Sequence, residues 1–87
     1  SAVNFPEVAL PSHPGHKRIL HVHHNVPGIL SAVNQVFAQH GINIAGQYLR
    51  TDEKLGYMVM DIGAETVELP MAQLSNIPGT IRCRVLF

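Results

Sequence analysis

The sequence predicts an α+β domain of the ferredoxin-like kind, a four-stranded antiparallel sheet with two helices on one face. Three observations carry that prediction. Apolar residues alternate with polar ones in separate short stretches, other stretches repeat at helical spacing, and the two kinds follow one another as β-α-β-β-α-β. Right-handed crossovers fold this order into such a sheet with both helices on the same side. With 87 residues there is material for one domain and not for two.

Residues 1 to 16 hold Pro6, Pro11, Pro14 and Gly15 and show no helical period, so they read as a linker feeding a domain at 17 to 87. The first strand is "RILHVHHN", with Ile19, His21, His23 and Asn25 on one face and Leu20, Val22 and His24 on the other. A helix follows, because Ile29, Leu30, Val33, Val36, Phe37 and His40 form one stripe. Pro27 suits its first turn and Gly41 the position just past its end. "INIAGQYLR" is the second strand, "TDEKLG" the hairpin loop, and "YMVMDIG" the third strand, with Met58, Met60 and Ile62 on one face. A short second helix lies within "TVELPMAQLSNI", with Pro70 in its first turn. The last strand, "TIRCRVLF", points Ile81, Cys83, Val85 and Phe87 inward and Arg82 and Arg84 outward. The second strand falls at a sheet edge, open to pairing with another copy.

Composition removes several functions. A formal net charge of zero, with six Lys and Arg, makes no nucleic-acid footprint. Tyr57 alone on the third strand lacks the paired aromatics of an RNA-recognition sheet. The single Cys83 excludes an internal disulfide and a two-cysteine metal site, and it fits a reducing cytoplasm. No apolar run approaches 18 residues, so a soluble domain is expected. The opening "SAVNFPEV", without Met, reads as a piece of a larger protein. No nucleophile, base and orienting group converge, so no catalytic residue is assigned.

The chemistry concentrates in "HVHHNVPGIL", residues 21 to 30. His21 and His23 share a strand face, with His13, His16 and His24 nearby, which raises a histidine-based metal or pH sensor. No acid or cysteine accompanies them, and a closed zinc site wants four ligands. A second reading uses the whole stretch. The N–H groups of Gly28, Ile29 and Leu30 lie free at a positive helix end and can seat a carboxylate. The Asn25 amide can hold an ammonium or hydroxyl, and His23 a second polar group, so a free amino acid is a natural guest. The plain alternative is that Asn25 only caps the helix. From the residues alone both readings stand.

Together, "HVHHNVPGIL", "FAQHGINIAGQYLRT", "GYMVMDI" and "IPGTIRCRVLF" resemble the C-terminal ACT domain of bacterial D-3-phosphoglycerate dehydrogenases. The resemblance runs nearly end to end and includes "SAVNFPEVALP", which is similar to the segment leading into that domain. It implies an ACT regulatory fold that binds L-serine between two domains paired edge to edge, giving feedback inhibition of an NAD-dependent enzyme in serine biosynthesis. The NAD site and the catalytic domains would lie elsewhere in the parent chain, leaving no cofactor and no metal here. It further implies ligand contacts from His23, Asn25 and the turn Pro27, Gly28, Ile29 and Leu30, completed by Asn43 and Ile44 of "GINI" in the neighbouring subunit. Pro14 and Gly15 stand where the family has a Gly-Gly hinge. Val26 replaces a residue that is commonly basic, and His24 one that is often acidic. An ACT module that pairs through its edge without any ligand is the remaining alternative.

Overall fold

The computed structural model describes residues 15–63 and 68–87. Among them the elements are β1 (His16–His24), α1 (Ile29–Gln39), β2 (Ile44–Thr51), β3 (Leu55–Gly63), α2 (Met71–Ser75) and β4 (Thr80–Val85). The strands make one antiparallel sheet in the order β2-β3-β1-β4, so β2 is an edge strand, as the sequence predicts. The linker reading of residues 1–14, Pro14 of the hinge included, lies outside the described residues. Gly15 is exposed, with φ +79°. His16, assigned to the linker from sequence, instead opens β1 and pairs with Gly63, because the ladder with β3 begins two residues before the strand that the apolar pattern marks.

The core lies between the helices and one sheet face. Alternation on the central strands buries Ile19 of β1 and Met58, Met60 and Ile62 of β3. The stripe Ile29, Val33 and Phe37 of α1 covers them, joined by Leu74 of α2 and by Ile42 and Ile77 from the loops. Each such side chain contributes roughly 1.5–3 kcal/mol by leaving water. Both prolines sit earlier than expected: Gly28 holds the N-cap position of α1 and Pro70 that of α2, so Pro27 stands two residues and Pro70 one residue before the first helical residue.

Two further expectations are corrected. A bulge between Val22 and His23 sets Thr80, not Ile81, opposite His23, and Ile81 is 48% exposed. The strand then ends at Val85, and Phe87, 50% exposed, lays its ring over the Arg18 guanidinium 5.2 Å away. Only Cys83 of the four residues expected inward packs against the core, with Val85 partly exposed. Burial raises the Cys83 thiol pKa to about 11, which keeps it protonated and unreactive. Arg18 stands one residue before the core residue Ile19. It is a buried β1 residue on the face away from the helices, forked onto Asp61 of β3 through Nε to Oδ1 at 2.6 Å and Nη2 to Oδ2 at 2.7 Å.

Candidate functional site

Three turns meet at the sheet end where β1 finishes. The β1–α1 turn is tied to the β2–β3 hairpin by the Asn25 N–H donating to the Lys54 carbonyl at 2.8 Å. It is tied to the α2–β4 turn by the His24 N–H donating to the Gly79 carbonyl at 2.8 Å. The hairpin is itself pinned, since Asp52 Oδ1 accepts the N–H groups of Lys54 and Leu55 at 2.8 and 2.7 Å. Those bonds hold the Asp52 carboxyl below its ordinary pKa.

Asn25 does not cap the helix. Its Nδ2 donates to the Asp52 carbonyl at 2.8 Å, and the N-cap position belongs to Gly28, without any side-chain cap. The amide so anchored has a second N–H and an oxygen to offer. Gly28 takes φ +91°, a left-handed value that residues with a side chain adopt only under strain. The first helical bond runs from the Ala32 N–H to the Gly28 carbonyl, so the N–H groups of Gly28, Ile29 and Leu30 precede the ladder. No acidic residue in the first turn offsets the positive helix end. Pro27, Gly28 and Leu30 are exposed around it, while Ile29 turns into the core.

His21 and His23 are both buried, at 0% and 4% exposure. Their Nδ1 atoms stand 3.2 Å apart, and His21 Nε2 lies 2.9 Å from Thr80 Oγ1. Burial lowers the pKa of each ring, and mutual repulsion lowers that of His21 further. The His23 ring lies on Gly56, its partner across the β1–β3 ladder, where a Cβ would come within 2.9 Å of His23 Cδ2 and Cε1 and closer still to Nε2. His24 points outward and is exposed. No group of three or more His, Cys, Asp or Glu close enough to hold a metal occurs among the described residues.

Asn43 and Ile44 are not brought to this end. The Asn43 carbonyl accepts from the Gly63 N–H, and Ile44 pairs with Ile62, whereas His23 pairs with Gly56. At about 3.3 Å per residue Gly56 and Gly63 of β3 are roughly 23 Å apart. Asn43 is exposed and Ile44 half-buried at the start of the edge strand. Sequence reasoning missed Gly56, Thr80 and Asp52. No local signal marks them, since each earns its place by pairing with a residue more than 20 positions away.

Residues 19–82 match the family described as the AHAS small subunit-like ACT domain. The chain belongs to the ACT domain family. The whole chain is also 53% identical over 87 residues to D-3-phosphoglycerate dehydrogenase of Haemophilus influenzae, covering 21% of that protein. It is 52% identical over 89 residues to that of Escherichia coli K12, covering 22%. With that of Dictyostelium discoideum it shares 37% identity over 86 residues, covering 99% of this chain and 21% of that one. This ACT domain therefore spans about a fifth of the length of these relatives. Its fold matches the ACT domain of the GTP pyrophosphokinase of Chlorobium tepidum with a TM-score of 0.66 at 16% identity, over 82% of this chain and 84% of that one. The C-terminal domain of the MgtC protein of Mycobacterium tuberculosis follows at 0.59 and 13% identity, over 86% and 90%.

Proposed function

We propose that this ACT domain is a regulatory unit that binds L-serine between two copies of itself and restrains an NAD-dependent D-3-phosphoglycerate dehydrogenase of which it forms part. The observation that carries the reading is the sheet end itself. There the start of α1, the anchored Asn25 amide and the His23 ring edge present complementary groups to a carboxylate, an amine and a hydroxyl. The relatives that suggest the parent activity are dehydrogenases identical to this chain at more than half of the aligned positions, over about a fifth of their length.

The distance between Asn43 and His23 within one copy supports a shared site. Two copies joined antiparallel along β2 would bring the far end of one edge strand toward the near end of the other, so that Asn43 and Ile44 of a neighbour approach His23, Asn25 and the Pro27–Leu30 turn. Such pairing makes one eight-stranded sheet. Serine that bridges the copies favours one mutual arrangement, and the chain ahead of β1 passes that bias to the catalytic domains. A cytoplasmic location follows from that metabolic role.

The test is thermal denaturation against a panel of amino acids, with sedimentation run with and without L-serine. L-Serine at 100 times its dissociation constant is expected to stabilise the paired domain by about 2.7 kcal/mol and to favour the dimer. A dimeric sample that L-serine leaves unshifted overturns the ligand reading. Pairing without any amino-acid response would leave a dimerisation module.

A further inference from the structure

Two buried histidines next to one another need a defined proton arrangement, and the structure supplies one from outside inwards. Thr80 Oγ1 donates its single proton to the Leu74 carbonyl at 3.2 Å. Toward His21 Nε2, 2.9 Å away, the same oxygen is therefore an acceptor, and the His21 proton sits on Nε2. A neutral ring with its proton there presents a lone pair at Nδ1. Across 3.2 Å that lone pair faces His23 Nδ1, which must donate. The one proton of His23 is then spent at Nδ1, and its Nε2 is bare.

We propose that His21 and Thr80 are positioning residues that lock His23 in the tautomer with a lone pair at Nε2, so that the ligand site accepts a hydrogen bond at this atom and selects guests that bring a donor there. The inference rests on the amino-acid-binding reading for its ligand half only. The guest has to present a hydroxyl or ammonium hydrogen to His23, and a carbonyl or ether oxygen at that point meets lone pair against lone pair. The relay starts at the carbonyl of α2 residue Leu74 and runs through the first residue of β4 to β1. Any shift of α2 relative to β4 is thereby felt at the His23 ring edge. Gly56 completes the arrangement by leaving the ring its seat.

The test reads the ring nitrogens directly, without ligand, in a two-bond proton–nitrogen correlation spectrum of the ¹⁵N-labelled chain above pH 7. Expected are a proton on Nε2 of His21 and on Nδ1 of His23. His21→Leu, which removes the acceptor while keeping an apolar side chain in the core, is expected to populate the Nε2-protonated form of His23. His21→Asn, whose side-chain oxygen falls near the former Nδ1, is expected to restore the Nδ1-protonated form. L-Serine affinity should fall roughly 2- to 10-fold in His21→Leu, the worth of one neutral hydrogen bond, and recover in His21→Asn. O-Methyl-L-serine, which lacks the hydroxyl donor, should bind more weakly than L-serine to the wild-type chain and no more weakly than L-serine to His21→Leu. A proton on His23 Nε2 in the wild-type spectrum overturns the relay, as does a His23 signature unchanged in His21→Leu. A wild-type chain with the expected tautomers and no response to any amino acid supports the relay and overturns the ligand reading.

Discussion

Gly56→Ala puts the packing around His23 under direct strain. An added Cβ would stand 2.9 Å from two ring carbons of His23, well inside the 3.5–4.0 Å at which carbon atoms rest. The ring cannot swing aside cheaply, because it is 4% exposed and its Nδ1 meets His21 Nδ1 at 3.2 Å. Overpacking of this kind costs about 1–3 kcal/mol. The smaller entropy of an unfolded alanine returns about 0.5–1 kcal/mol, so the net loss is roughly 0–2.5 kcal/mol. In a domain of this size each kcal/mol moves Tm by about 4–8 °C. Gly63→Ala in the same strand is the control, since nothing lies within 4 Å of its would-be Cβ, and it should be neutral or slightly stabilising. Thermal melts of the two variants, of His23→Ala and of His23→Ala with Gly56→Ala complete a double-mutant cycle. Its coupling should reach about 1 kcal/mol or more, because the clash needs both groups. A Gly56→Ala chain as stable as Gly63→Ala, or a cycle that closes with no coupling, refutes the packing described for this site.

Stability should fall as acid is added from neutrality. Burial depresses the pKa of both His21 and His23, so the unfolded chain, titrating near 6.5, binds more protons than the folded one. The contribution is complete above about pH 6.5 and is lost as pH falls from there toward the folded values. The slope is at most about 1.4 kcal/mol per pH unit for each histidine, and denaturant melts at pH 7 and pH 5 check it. A flat profile across that window contradicts neutral buried rings. Asp61→Ala should cost about 3–5 kcal/mol by leaving Arg18 buried without its carboxylate, while Arg18→Met with Asp61→Leu should recover most of that; equal losses in the single and double variants would deny the pair its role. Asn25→Ala removes one exposed bond to the Asp52 carbonyl and should cost no more than about 1.5 kcal/mol while abolishing the L-serine shift; a shift that survives the substitution removes Asn25 from the site.

Strand and helix order, the edge position of β2 and the inward face of β3 were legible because alternation and helical repeat are local patterns, imposed by periods of 2 and 3.6 residues on one core. His23 and Asn25 were legible as candidates because strand end, turn and helix start are contiguous in the chain. Resemblance to the ACT domains of the dehydrogenases added Asn43, which no spacing argument reaches.

Only the tertiary structure decided the rest. Whether Asn25 caps α1 or anchors to Asp52 depends on the hairpin 27 residues away. That Arg18 is half of a buried pair depends on Asp61, 43 residues away. The bulge that exchanges Thr80 for Ile81 opposite His23 makes the relay possible, and periodic sequence carries no mark of an unpaired residue. Hydrophobic patterning states which face is inward. Which polar group a buried histidine meets there is a matter of register between distant strands, and register is settled only when the sheet and its helices pack together.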